Sequence, residues 1–102
     1  MPLTIRTAED IAAEALAMHK ATCVAAIDAH VEARARALHY NSAAALAGYL
    51  GSTVEAWAAE AAAFVAWRDA VWVTAIAMLD AADPLQPPSV DDVLAVLPEW
   101  PG

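Results

Sequence analysis

Few side chains in this 102-residue chain can do chemistry, and their spacing limits what that chemistry is. His19, His30 and His39 are its three histidines and Cys23 its one cysteine. His19 and His30 stand eleven residues apart, on one face of a helix, but about 16 Å apart along its axis, too far to share a metal ion. Cys23 follows His19 by four residues, within reach of a helical pair. No cluster of positive charge lies beside it to lower its pKa, so an unreactive buried thiol is expected. Asp80, Asp83, Asp91 and Asp92 fall at helix ends, where acids cap or solubilise. Three glycines provide neither a phosphate-cradling loop nor a nucleophile elbow. The expectation is a chain with no cofactor, no metal and no enzymatic activity.

Recognition is the remaining chemistry, and FVAWRDAVW, residues 64–72, concentrates it. Here Arg68 and Asp69 sit among Phe64, Trp67 and Trp72. The series Trp57, Ala61, Phe64, Arg68, Val71, Ala75 and Met78 follows three-four spacing and so shares one helical face. Phe64 and Trp72, four residues on either side of Arg68, are placed to sandwich its guanidinium through cation–π contact. Asp69 points about 100° away around the helix. The expected partner of Arg68 is therefore on another element, with Asp28 or Glu32 as candidates, or on another chain. Two readings stay open: Arg68 bridges two helices of one subunit, or it lies in an interface. Trp57, Trp67 and Trp72 divide the same way between core and site, since tryptophan and arginine are enriched at binding hot spots.

The elements that must position these residues are marked by caps and breakers. Thr7 with Asp10 has capping-box spacing and predicts a helix over 8–40, with nothing to break it before Asn41. Along it Ile5, Leu16, Ile27 and Leu38 recur at intervals of eleven, with Met18, Val24 and Val31 widening the stripe. Glu32 and Arg36 are spaced for an ion pair on the solvated side. Such a helix is roughly 45 Å long, whereas a compact chain of this size has a radius of gyration of about 13 Å. An elongated shape follows. Asn41 or Ser42 caps a short helix over 42–50, loosened by Gly48 and Gly51. Ser52 with Glu55 predicts a capping box that opens a second long helix over 53–82, ended by Asp83-Pro84. Residues 83–88 read as a stiff extended connector. Ser89 with Asp92 caps a last helix over 90–97, stopped by Pro98. No alternating strand pattern or internal repeat interrupts this. The chain reads as one all-α domain over 1–102: an elongated hairpin of two long helices, a short connecting helix, and a small C-terminal helix after the Pro-rich connector.

Composition supports association. The hydrophobic share is 61%, but 29 of those residues are alanine, which favours helix and buries little area. Slender alanine-rich rods most readily cover an apolar flank against another helix or another subunit. The formal charge of −8 divides into −1 for residues 1–51 (four basic, five acidic) and −7 for residues 52–102 (one basic, eight acidic). That balance argues against nucleic acid as a partner. The most apolar run, Ala70 to Leu79, is about half the roughly 20 residues that span a bilayer, and MPLTIRTAED has no apolar signal core. No membrane partner is expected, and a lone cysteine agrees with a reducing compartment.

The segment IDAHVEARARALHYNSAAALAGYLGSTVEAWAAEAAAFVAWRDAVW, followed by a proline-containing connector and PSVDDVLAVLP, resembles a small helical domain of tailed bacteriophages and prophages. That family is found at the end of tail-fibre proteins or as a separate tail-fibre assembly protein or chaperone. The resemblance runs from about Ile27 to Pro98. It is carried by Tyr40-Asn41, Tyr49, Ser52-Thr53, Trp57, Glu60-Ala61, Phe64 with Trp67-Arg68-Asp69 and Trp72, Pro88-Ser89-Val90 and Leu97-Pro98. Gly48 departs from it, standing where a serine commonly precedes the second tyrosine. The resemblance implies a phage tail component or chaperone that binds the tail fibre or baseplate through apolar helix faces. It implies assembly in the host cytoplasm, residence in the virion tail and multiple copies, three being natural for a trimeric fibre. The partner-binding residues it points to are Tyr40, Tyr49, Trp57, Phe64, Trp67, Arg68 and Trp72. The alternative is a free regulatory module acting on a host protein.

Overall fold

The computed structural model describes residues 7–102. Helix α1 spans Ala8–Ala37, α2 Ala43–Ala47, a 3₁₀ turn Gly48–Gly51, α3 Glu55–Asp80 and α4 Val90–Val96. The fold is all-α and elongated, with extents of 62 × 32 × 18 Å and a radius of gyration of 18.0 Å. That exceeds the value of about 13 Å for a compact chain of this length.

Both ends of α1 follow from local chemistry. At the start, Asp10 N donates to Thr7 Oγ1 (3.1 Å) and Thr7 N to Asp10 Oδ2 (3.2 Å), forming the expected capping box. At the other end the helix stops at Ala37, three residues before the expected boundary. His39 takes a left-handed backbone (φ 73°), and the amides of His39 and Tyr40 donate back to the Arg36 and Ala35 carbonyls. This is a Schellman closure with histidine where glycine is usual. No breaker residue announces it, so the sequence pattern carried the helix too far. The closure turns Tyr40 away from the α1 axis and onto the end of the hairpin.

Ser42 is the cap of α2, accepting from Ala45 N at 3.0 Å. The Glu32 carboxylate of α1 accepts from Ala43 N at 3.0 Å. Glu32 thus satisfies a free helix-start amide of α2 in place of the expected ion pair with Arg36, which does not form. Helix α3 begins at Glu55, two residues later than expected, because Ser52 turns its hydroxyl onto Val54 N (3.0 Å) and makes no box with Glu55. The connector is a turn: Asp83 accepts from Leu85 N through Oδ1 (2.9 Å) and from Gln86 N through its carbonyl (3.1 Å). The Ser89–Asp92 capping box of α4 forms as expected.

One core joins the elements. Cys23, Ile27, Val31 and Ala35 face inward from α1, Leu46 from α2, Ala61, Phe64, Trp67, Val71, Ala75 and Leu79 from α3, and Val93 and Leu97 from the C-terminal arm. Helix α4 touches both long helices. The His19 Nε2 to Pro88 carbonyl hydrogen bond at one end and Arg34 over Trp100 at the other set α4 parallel to α1. The hairpin is thereby closed by a third strut. Met18 (73% exposed) and Val24 (43%) lie outside the stripe they were expected to widen, and Ile5 lies outside the described residues. No described residue of α1 before Cys23 is buried.

Candidate partner-binding site

The seven residues singled out by the sequence separate into three places. Phe64 and Trp67 are core. Phe64 is fully buried, and Trp67, 5% exposed, donates its indole N–H to the Pro98 carbonyl at 2.9 Å. Trp100 completes this seam, with ring centroids 5.6 Å from Trp67 at 89° and 6.4 Å from Phe64 at 51°. His30 closes on Trp67 from α1 at 5.7 Å. The Arg34 guanidinium carbon sits 5.8 Å above the Trp100 ring. Neither Phe64 nor Trp67 is free to meet a partner while the C-terminal arm is in place. The arm's contribution was missed because Trp100 stands beyond the last helix, where periodicity says nothing.

Arg68 is not sandwiched by Phe64 and Trp72, and neither Asp28 nor Glu32 pairs with it. It turns back on its neighbour, donating from Nε (3.1 Å) and Nη2 (2.9 Å) to the same Asp69 oxygen. The side chains are 33% and 61% exposed, so this is a surface pair of small energetic weight. Adjacent residues are offset by about 100° around the helix, and the long arginine stem spans that offset, so the partner is Asp69 and not a residue of another element. Trp72 is half-buried beside it, and Val73 (69% exposed) and Ile76 (53%) continue an apolar strip along the outer side of α3.

Tyr40, Tyr49 and Trp57 meet at the end of the hairpin. Tyr49 packs edge-on against both others, with centroids 5.4 Å from Tyr40 at 61° and 5.7 Å from Trp57 at 82°. With Leu38, His39 and Glu60 they line an open cleft of about 340 Å³. Trp57 is 50% exposed and Tyr49 39%. Hydrogen bonding to the Glu60 carboxylate, and then burial and the charge of Glu60, hold the Tyr40 hydroxyl above the ordinary phenol range. The cleft therefore presents aromatic surface and a carboxylate together.

The nucleophile and metal candidates show different behaviour. Cys23 is fully buried, its Sγ 3.7 Å from His19 Nε2, and burial pushes the thiol up from its ordinary value. A raised thiol is a poor nucleophile. Because the Pro88 carbonyl only accepts, His19 Nε2 carries the proton. Among the described residues, no three His, Cys, Asp or Glu side chains gather to hold a metal ion.

One sequence reading needs correction. Helix α3 is long and apolar enough, by length and composition, to cross a membrane: mean hydropathy reaches 1.4 over an 18-residue window, of which 28% is buried within the fold. The apolar run from Ala70 continues on the other side of Arg68 through alanines, Phe64 and Val65.

No protein-family model, curated protein or solved structure matches this chain.

Proposed function

We propose that this chain is a helical docking subunit of a bacteriophage tail, an adaptor or assembly chaperone that binds the tail fibre or baseplate. It assembles in the host cytoplasm and stays in the virion tail in several copies, three for a trimeric fibre. The observation that carries the docking part is the set of large apolar side chains left uncovered after the core is complete, Val73 and Ile76 beside Trp72 on α3 and Trp57 at the hairpin end. Such surface, rimmed by charge, marks protein contacts. The resemblance of the 27–98 segment supplies the phage tail as the setting. A bilayer suits the same helix less well, since Arg68 and Asp69 stand in the middle of α3 and charges there are costly in hydrocarbon.

The test is co-purification with the tagged fibre or baseplate protein. Val73→Asp and Ile76→Asp, both exposed, are expected to abolish retention while helix content stays unchanged by circular dichroism. Retention of both variants at wild-type affinity would end the assignment of the α3 face. Mass spectrometry of washed virions is expected to find the chain; its absence there, with a monodisperse free species in solution, would favour the regulatory module instead.

A further inference from the structure

Trp100 and Trp57 each stand beside charge in an aromatic cluster, and one of them already has its cation. Trp100 is covered by the Arg34 guanidinium of its own chain. Trp57 is not: the cleft it lines with Tyr40, Tyr49 and Glu60 contains no lysine or arginine. Aromatic faces carry negative quadrupole potential and attract a cation within about 6 Å of the ring centroid. Glu60 adds a full negative charge, and the eight acids against one base in residues 52–102 bias the surrounding field the same way. An anionic occupant is repelled by this combination, and a neutral one forgoes its electrostatic part.

Among organic cations, the geometry selects the guanidinium. It is planar, weakly hydrated, stacks on an indole or phenol face, and still directs N–H donors at a carboxylate in its plane. A primary ammonium holds its water more strongly and cannot stack. A cleft of about 340 Å³ that opens to solvent admits a side chain entering from outside, rather than enclosing a free small molecule. We propose that the cleft takes an arginine side chain of the docking partner, stacked on the Trp57 ring, edge-on to Tyr49, and paired with the Glu60 carboxylate. This rests on the docking reading and names the contact it uses at the hairpin end.

The intact protein, labelled with ¹⁵N, is titrated with N-acetyl-arginine amide while the four tryptophan indole N–H signals are followed. The Trp57 signal is expected to shift saturably with a dissociation constant of roughly 10 to 100 mM, the weak range proper to a single side chain. The Trp67 and Trp100 signals stay in place. The neutral isostere N-acetyl-citrulline amide is expected to bind at least about fivefold more weakly, and Glu60→Gln to weaken arginine binding by a similar factor. An unmoved Trp57 signal, equal binding of citrulline, or unchanged affinity in Glu60→Gln would each overturn the proposal. The fibre assay separates this from the docking reading. If Val73→Asp abolishes co-purification and Glu60→Gln leaves it unchanged, docking survives and the partner arginine does not. If the arginine probe binds as expected but wild type fails to retain the fibre, the guanidinium site stands and the fibre is not its source.

Discussion

The two aromatic clusters of this protein are built from similar residues and end in opposite states. Phe64, Trp67 and Trp100 form a closed seam: the Trp67 indole N–H is satisfied by Pro98, Trp100 packs edge-on to Trp67 with Phe64 tilted against both, and Arg34 covers the outer face. Tyr40, Tyr49 and Trp57 are edge-packed too, yet their cleft stays open and carries a carboxylate that no arginine or lysine of its own chain meets. The difference is a strut. The C-terminal arm lies against the seam and supplies the Pro98 carbonyl and the Trp100 ring, which Arg34 of α1 covers, while the hairpin end has only a short helix and a 3₁₀ turn. Aromatic content therefore does not tell a core from a binding site; what covers the rings does.

Breaking the closed cluster should have the largest effect. Phe64→Ala removes a fully buried ring and is expected to cost about 3 to 5 kcal/mol in urea unfolding, whereas Trp57→Ala should cost under about 1 kcal/mol. Similar losses at the two positions would erase the distinction. Trp100→Ala should fall between, at about 2 kcal/mol, because it strips cover from Trp67 and leaves Arg34 without its ring.

The core and the cleft also differ in how they titrate. The folded chain holds the Cys23 proton more tightly than the unfolded chain does, so the related stability is complete below the ordinary thiol value of 9.0 and is lost as pH rises through the raised folded value. Tyr40 behaves alike above the ordinary phenol value of 10.0. Unfolding measured from pH 8 upward should show stability declining first from Cys23 in the core, and Cys23→Ala should flatten that first decline. An identical slope in the variant would remove Cys23 as its source. The smallest effect belongs to the charged pair: Arg68→Ala should change stability by about 0.5 kcal/mol or less, since the pair is exposed and its partner is adjacent. A loss above about 2 kcal/mol would restore Arg68 to a structural bridge.

Much of the fold was legible because it rests on local rules. The Thr7–Asp10 and Ser89–Asp92 boxes and the end of α3 ahead of Asp83-Pro84 read directly from residue order. What escaped were features decided by tertiary reach. His39 closes α1 in a conformation that its residue type rarely adopts, and Glu32 was assigned a helical neighbour when an amide of α2 was within range. About 100° of helix separates Trp67 from Arg68, and the same spacing that placed Arg68 on the inner face fits Trp67 once the face is centred between them. Of the site, the Tyr40, Tyr49 and Trp57 grouping joins residues far apart in sequence, and only the resemblance pointed to them together.

The most direct measurement is hydrogen exchange at the indole N–H groups of Trp57 and Trp67, in the isolated chain and again with the fibre or baseplate protein bound. Strong protection of Trp67 is expected in both states, and protection of Trp57 only when the partner is present. Equal protection of the two indoles in the isolated chain, or a Trp57 that exchanges as fast bound as free, would contradict that expectation.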